Sequence, residues 1–300
     1  MRYYPQTTRP NPLRKSQTPI TTMSDRPAYF VFDIESVADA QLISKVHFSN
    51  NIPPQEAIRK YRDELLEKND SDFIPYTFQI PISVVIGKVA EDFSLLDIVV
   101  LDEPEYRPHE ICNKFWRGWV AYKQPTFVSF NGRGFDIPML EHAAFRYGIS
   151  IPGWFSLDAK TFEQPRNRYN MKTHLDLCDI LTNYGATRFN GGLNLAASIL
   201  GKPGKMETQG YMVQDLYDAG ELTKINDYCR CDVLDTYFIF LRVMVLTGKL
   251  SLHEEQVLVK KTKDWLDSRV ETSPAYRQYL DSWGDWLNPW ENRNNSEPHS

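Results

Sequence analysis

Runs of apolar residues separated by polar turns predict the strands of this chain. Most of them are rich in β-branched and aromatic side chains, which is typical of strands buried on both faces. They cover residues 29–35, 79–89, 94–101, 125–130 and the start of 174–182. The second and third runs are joined by a short polar turn, so we expect them to form a strand pair. Residues 36–78 do not continue the sheet pattern and predict an excursion between the first two strands.

Amphipathic stretches at helical spacing predict helices between and after these strands. They cover residues 57–68, 109–122, 137–147, 193–200, 221–246, 253–269 and 274–287, and residues 174–182 run from the short strand into a helix. Because strands and helices alternate along the chain, the predicted fold class is α/β, with a mixed central sheet flanked by helices.

Composition divides the chain into four predicted regions. We expect a disordered tail over residues 1–25, one domain over 26–248, a helical extension over 249–290 and a polar tail over 291–300. With 42% hydrophobic residues among 300, the chain can bury one large core with an appended subdomain.

Charge, cysteines and hydropathy exclude some classes of protein. The net charge of −5 indicates no general affinity for polyanions, so a surface that binds phosphates would have to be a local patch. The four cysteines form no Cys-x-x-Cys pair, which favours reduced thiols over disulfides or a zinc site. No apolar run approaches the roughly 18 residues that span a bilayer, so we expect no membrane contact and a cytoplasmic location.

The first predicted strand ends in two carboxylates. Because side chains alternate along a strand, Asp33 and Glu35 share one face, about 6.6 Å apart along the backbone. Two carboxylates so close repel each other and cost desolvation unless a cation lies between them. A polar strand end that faces water is the alternative, and the tripeptide alone favours neither interpretation.

Two later elements add further candidates. Asn131, Phe135 and Asp136 lie where a predicted strand passes into a helix, with Asp136 expected at the N-cap. Tyr228 and Asp232 lie four residues apart on the longest predicted helix and therefore share a face. Each has an ordinary explanation, because aspartate is common at N-caps and a Tyr–Asp pair occurs on many helices by chance.

In this order, Asp-x-Glu, Asn-x-x-x-Phe-Asp and Tyr-x-x-x-Asp resemble the motifs of the DEDD superfamily of 3′–5′ exonucleases, in its DEDDy branch. That branch includes the proofreading domains of family B DNA polymerases. The sequence is more similar still to bacterial predicted exonucleases related to those domains, including over residues 193–205 and 228–242. The resemblance spans roughly residues 28–246, outside the N-terminal tail and the C-terminal helices.

The resemblance implies a ribonuclease-H-like fold and a mechanism with two divalent ions, Mg²⁺ or Mn²⁺. The metal ligands it implies are Asp33, Glu35, Asp136 and Asp232. Asp33 would bridge both ions, and Asp136 would hold the second ion partly through water. Tyr228 would orient the attacking water, while Asn131 and Phe135 would position the 3′-terminal nucleotide.

The chemistry of phosphodiester hydrolysis itself requires bound cations and a positioned water. Two cations about 3.5–4 Å apart stabilise the attacking and leaving oxygens and lower the pKa of bound water. Carboxylate-only sites select Mg²⁺ or Mn²⁺ over zinc. Tyrosine, with an ordinary pKa of about 10, is a poor base at neutral pH, so we assign Tyr228 to positioning the water.

The expected partner is the 3′ end of a single strand, DNA in preference to RNA. Basic side chains interleaved with aromatic ones suit single strands, because aromatic rings stack on any base. The candidates are Lys160, Arg166, Arg168, Lys172, Arg188, Lys202 and Lys205, with Phe162, Tyr169 and Phe189. For each of them, an ordinary solvated loop is an equal alternative. His174, Asp176 and Asp179 are expected to be structural.

Two other functions compete with the enzyme. One is a catalytically inactive nucleic-acid-binding module on the same fold, against which the complete set of carboxylates argues. The other is a scaffold for protein interaction that uses the C-terminal helices. Their tryptophans indicate either a protein partner or packing on the core: Trp265, Trp283, Trp286 and Trp290.

Overall fold

The computed structural model of the protein describes residues 26–204 and 210–291. Its strands are β1 (Tyr29–Ala38), β2 (Gln79–Val89), β3 (Leu95–Val100), β4 (Thr126–Ser129) and β5 (His174–Asp176). Its helices are α1 (Ala40–Phe48), α2 (Pro54–Asn69), α3 (Pro108–Ala121), α4 (Asp136–Tyr147), α5 (Leu177–Leu181), α6 (Gly192–Ile199), α7 (Val213–Asp218), α8 (Leu222–Leu246), α9 (Leu252–Asp267) and α10 (Pro274–Asp281).

The strands form one mixed sheet in the order β3-β2-β1-β4-β5. β1 lies at its centre, antiparallel to β2 and parallel to β4. β2 and β3 are antiparallel, as expected from the polar turn that joins them, and β4 and β5 are parallel. The predicted α/β class with a mixed sheet and flanking helices is confirmed.

The two faces of the sheet pack against different helices. Phe30, Phe32 and Ile34 of β1 point into a core with the tryptophans of α3 and the apolar face of α4. Val31 points the other way, into a core built on α8. Gly87 of β2 allows this helix to come close, because a Cβ there would lie 3.2 Å from Val233. The alternation of side chains therefore directs Asp33 and Glu35, which follow Val31, toward α8.

The C-terminal helices complete the α8 side of the molecule. Leu258 and Leu266 of α9 and Ala275 and Tyr279 of α10 belong to the same apolar cluster as α8. The backbone after α10 also touches the loop after α6, since a Cβ on Gly284 would lie 2.7 Å from a backbone oxygen of that loop. The boundary expected between a domain ending at residue 248 and a helical extension stays a prediction.

Several elements differ from the sequence-based expectations. β1 does not end at Glu35 but continues to Ala38, past a register shift between Glu35 and Ser36. The sequence did not predict two of the helices. One is α1, which lies within residues 36–78 and whose N-terminus is capped by the Asp39 carboxylate, and the other is α7. α10 ends at Asp281 instead of residue 287. The described residues include no helix long and apolar enough to span a bilayer.

Candidate active site

Four of the predicted carboxylates meet where β1 passes the start of α4 and the middle of α8. Glu35, Asp136 and Asp232 are buried and Asp33 is partly buried. Asp33 feels the charge of all three others, and Glu35 feels those of Asp136 and Asp232. Segments about 100 residues apart in sequence therefore bring four like charges to one place.

Burial and mutual repulsion change the acidity of this cluster. Burial, reinforced by the neighbouring carboxylates, raises the pKa of Asp33 and of Glu35 well above the usual range. Burial likewise raises the pKa of Asp136 to about 7, although backbone N–H groups of Asp136 and Ile34 oppose the shift. Ionising the whole cluster is therefore costly without a cation, which is the electrostatic condition expected of a metal site.

The donor atoms suit a hard divalent cation. A carboxylate oxygen from each of Asp33 and Glu35 and the sulfur of Cys229 lie within 4.8 Å of one another. Burial and the adjacent carboxylates raise the pKa of the Cys229 thiol well above its usual value, so the sulfur keeps its proton. It donates to the Asp33 backbone oxygen at 3.3 Å and to Oδ2 at 3.6 Å. The residues thus fit Mg²⁺ or Mn²⁺ bound through oxygen, with Cys229 orienting a ligand.

Sequence reasoning treated Cys229 only as one of four reduced thiols. No motif identifies it, because its partner Asp33 lies 196 residues away in sequence. The one available signal was position, since Cys229 directly follows Tyr228 on α8.

The loop before α4 fits Asp136 closely into the cluster. Asp136 is the first residue of α4 and not its N-cap, which is Phe135 with no side-chain cap. Gly132 packs beneath it, because a Cβ there would lie 2.4 Å from Ser129 Oγ and 2.9 Å from Asp136 Oδ2. Only glycine fits this position without displacing the carboxylate.

Asp176 holds the loop before α4 in place. Its carboxylate accepts from the backbone N–H groups of Asn131 at 2.9 Å and Arg133 at 2.8 Å, and caps α5 through Cys178. Arg133 in turn pairs with Asp179 at 3.1 Å. These bonds agree with the structural role expected for both aspartates, and they leave the Asn131 side chain exposed.

Tyr228 lies one turn before Asp232 on α8, with 8% of its surface exposed. Its hydroxyl is hydrogen-bonded to Asp232. Burial, together with the carboxylates of Asp232, Glu35 and Asp33, raises the pKa of Tyr228 above its usual value. The phenol therefore stays protonated and can act as a donor, but not as a base.

His174 is buried beneath the site on β5. Its Nε2 lies 2.7 Å from Ser129 Oγ. Burial, with a smaller effect of Arg133, holds the pKa of His174 well below the usual value, so the ring is neutral. This environment agrees with the structural role expected from the sequence.

The basic side chains that the sequence suggested as phosphate contacts differ in how accessible they are. Lys202 was wrongly included: it is buried, lies 3.8 Å from the centre of the Trp283 ring and donates to the Gly284 carbonyl oxygen. Lys205 lies outside the described residues. Arg166 is engaged by Glu141 in two hydrogen bonds. The remaining basic candidates are accessible, and the exposed aromatic side chains near them are Phe162 and Tyr169.

The C-terminal tryptophans serve mainly in packing. Trp265 and Trp283 pack against the α8 core, and Trp286 lies against the Arg242 guanidinium at 4.2 Å. Trp290 is 56% exposed. Of the two explanations offered by the sequence, packing on the core accounts for Trp265 and Trp283.

Two comparisons with known proteins agree with this geometry. The family model described as a predicted 3′–5′ exonuclease related to the exonuclease domain of PolB matches residues 71–283. A DNA polymerase of Archaeoglobus fulgidus is 26% identical over 174 residues, which is 57% of this chain and 21% of the polymerase. The chain spans about a fifth of the length of that curated relative.

The extent of the family match corrects one expectation. It continues through α9 and α10 to residue 283, so the likeness does not end near residue 246. It begins after β1, so Asp33 and Glu35 join the site through the fold and not through the matched stretch. The mixed sheet with its flanking helices is the ribonuclease-H-like arrangement expected of such a domain.

Proposed function

Since the chain belongs to the family of predicted 3′–5′ exonucleases related to the exonuclease domain of PolB, we propose that it removes nucleotides stepwise from the 3′ ends of single strands. The observation that carries this proposal is the convergence of four carboxylates with Tyr228 at one point. The middle of β1, the start of α4 and the middle of α8 supply them. A fold needs no such cluster for stability, because like charges at this burial are unfavourable.

Asp33, Glu35, Asp136 and Asp232 would hold two divalent ions, Mg²⁺ or Mn²⁺. When bound, such ions stabilise the attacking and leaving oxygens and lower the pKa of water. Asp33 is suited to a shared position, because it is the carboxylate that feels the charges of the other three. The Cys229 thiol, which donates to Asp33, restricts the orientation of that carboxylate.

Tyr228 holds the attacking water in this proposal. Its hydroxyl lies among the carboxylates and keeps its proton, because burial raises its pKa. The phenol donates its one proton to the Asp232 carboxylate, so its oxygen can accept a hydrogen bond from the attacking water. Tyr228 therefore orients the nucleophile without acting as the general base.

Asn131 and Phe135 lie in the segment between β4 and α4, which leads into Asp136. Asn131 is exposed in the loop before α4, in a left-handed conformation with φ 64° that directs it away from the regular strand. Phe135 directly precedes Asp136 and is half-buried. We assign both to the 3′-terminal nucleotide, and DNA as the preferred substrate because the curated relative is a DNA polymerase.

The test is incubation of the purified full chain with end-labelled single-stranded DNA and RNA in Mg²⁺, Mn²⁺ or chelator. We expect mononucleotides to be released from the 3′ end, faster for DNA, and none in chelator. Digestion from the 5′ end, or hydrolysis that survives the chelator, would contradict the proposal.

The same assay separates the two rival functions. An inactive nucleic-acid-binding module would bind the strand and leave it intact. A protein scaffold would neither bind the strand nor respond to the divalent ion.

A further inference from the structure

A cavity of about 400 Å³ lies between α6 and α8, next to the carboxylate cluster. Asp232 and, one turn further along α8, Asp235 line it. The other lining residues are Gly204 and those from Gly191 to Asn194, where α6 begins. The volume lies in the range of about 300–1,000 Å³ that is usual for small-molecule sites. Since Asp232 belongs to both, the cavity adjoins the proposed metal site.

Asp235 brings a buried polar atom without a partner to this cavity. The residue is 0% exposed. Its Oδ1 accepts a hydrogen bond from the Tyr279 hydroxyl at 2.6 Å. Its Oδ2 has no hydrogen-bond partner in residues 26–204 or 210–291. Because a buried polar atom without a partner is unfavourable, the position indicates a ligand in the cavity.

Asp235 is suited to donating a hydrogen bond. Burial raises the pKa of this carboxyl to about 8, although the Tyr279 hydroxyl and the Gly204 backbone oppose the shift. The group is therefore mostly protonated at neutral pH. Because Oδ1 accepts from Tyr279, the proton belongs on Oδ2, the atom without a partner.

The start of α6 adds further donors to the cavity. The first N–H groups of a helix have no partner within it and form the positive end of its dipole. No side chain caps α6. Gly191 and Gly192 have φ of 104° and 56°, and without a Cβ they leave this backbone open to a ligand. Donors arranged in this way suit an oxyanion. The Asp232 carboxylate is the exception, and it is assigned to the divalent ions.

We propose that this cavity binds the phosphate one linkage upstream of the scissile bond, which accepts hydrogen bonds from Asp235 and from the start of α6. The proposal rests on the proposed function, because it needs the scissile phosphate at the carboxylate cluster. The 3′-terminal nucleotide is assigned to the segment before α4, so the α6 side is left for the rest of the strand. Holding two successive phosphates fixes which linkage meets the ions.

The test uses DNA with one methylphosphonate, in which a methyl group replaces the charged oxygen of a phosphate. The test strand carries it at the second linkage from the 3′ end, and a control strand carries it several linkages further upstream. We expect the wild-type protein to remove the terminal nucleotide from the test strand with a kcat/KM about 10- to 100-fold lower, the effect of losing a hydrogen bond to a charged group. The control strand should behave like all-phosphate DNA.

Two variants of Asp235 test its role as a donor. Asp235→Ala should shrink the difference between the test and control strands. Asp235→Asn should keep it, because the amide N–H replaces the O–H and the amide oxygen still accepts from Tyr279. Asp267→Ala is the matched control and should also keep the difference, because Asp267 is exposed at the end of α9 and lines no part of the cavity.

Binding gives a second readout that does not require cleavage. Fluorescence anisotropy with Ca²⁺ in place of Mg²⁺ should show weaker binding of the test strand to the wild-type protein. Equal cleavage of the test and control strands by an active wild-type protein would overturn the assignment of the cavity. Loss of the difference in Asp235→Asn would also overturn it, by indicating a carboxylate that holds a cation. An inactive wild-type protein that still binds the test strand more weakly would instead refute the proposed function alone.

Discussion

At the scale of single residues, three of the four carboxylates are held by different partners. Asp33 receives the Cys229 thiol, and Asp136 accepts from the backbone N–H groups of Ile34 and of itself. Asp232 shares a hydrogen bond with Tyr228. These three carboxylates are thus oriented before any cation arrives, which lowers the entropic cost of binding one.

Alanine at Asp33, Glu35, Asp136 or Asp232 should remove most of the exonuclease activity. Each change would take away one of the proposed oxygen ligands of the ions that stabilise the transition state. Tyr228→Phe keeps the ring and loses the hydroxyl, so it should cost less, on the order of 10²- to 10⁴-fold in kcat. Single-turnover rates on 5′-labelled DNA measure these effects. Full activity of Asp136→Ala would remove that residue from the site.

Gly132→Ala should reduce activity without touching a ligand directly. The added Cβ would lie 2.4 Å from Ser129 Oγ and 2.9 Å from Asp136 Oδ2, so the carboxylate must move. We expect a weaker apparent affinity for Mn²⁺, measured by titrating activity against the ion. Gly118→Ala is the matched control, because a Cβ there meets nothing within 4 Å. An unchanged Mn²⁺ requirement in Gly132→Ala would show that the loop relaxes around the methyl group.

Sequence reasoning identified the candidate carboxylates because their spacing on a strand and on a helix is a local property. It missed Cys229 because its importance comes from a contact across the fold, with Asp33, which lies 196 residues away in sequence. Lys202 was misassigned for the same reason, since the residues near it in sequence do not indicate that it packs against the Trp283 ring.

At the scale of elements, the loop between β4 and α4 depends on Asp176 at the end of β5. Asp176→Ala would leave buried backbone N–H groups without their charged acceptor, at about 1–3 kcal/mol for each group. We expect a lower Tm, with the rate per folded molecule nearly unchanged. Asp179→Ala, which removes the partly exposed ion pairs with Arg133 and Arg168, should lower Tm less. A normal Tm combined with a lost rate would place Asp176 in the metal site.

The C-terminal helices should be necessary for a soluble protein. Deleting residues 250–300 would bare the apolar face of α8 that α9 and α10 cover. We expect aggregation or loss of cooperative unfolding, measured by size-exclusion chromatography and thermal denaturation. Removing residues 1–22, which lie outside the described residues, is the control: this Pro- and Thr-rich stretch should be dispensable for activity. A soluble, fully active protein without residues 250–300 would contradict this expectation.

The sequence predicted most elements to within a few residues, because strands and helices have distinct apolar periods. The bounds failed where tertiary contacts decide them. β1 runs on past Glu35 because it continues to pair with β2 beyond the shift in register. α1 and α7 escaped prediction because they are short and their apolar patterns are incomplete.

At the scale of the whole molecule, stability should depend on pH in opposite ways with and without divalent ions. The folded state raises the pKa of Asp33, Glu35 and Asp136, the last to about 7, above the usual value near 4. Between these values the folded protein binds more protons than the unfolded chain. The metal-free protein should therefore lose stability as the pH rises from about 4 to about 7.

Added Mg²⁺ or Mn²⁺ should reverse this loss. Ions that bind only the folded state contribute about 2.7 kcal/mol at 100 times their dissociation constant. Differential scanning fluorimetry at pH 7 should show that Tm rises with either ion in the wild-type protein and stays constant in Asp33→Asn. An equal rise in the variant would assign the bound ions to some other site.

The packing of Gly284 against the loop after α6 also sets the order in which parts of the fold are completed during synthesis. α8, which carries Tyr228 and Asp232, leaves the ribosome well before Gly284, whose backbone packs against the loop after α6. At about 5–20 residues per second, the intervening stretch takes several seconds to synthesise. During that interval the apolar side of α8 has no cover, and the nascent chain is open to chaperones. The fold around α8 therefore stays incomplete until the segment near Gly284 has been made.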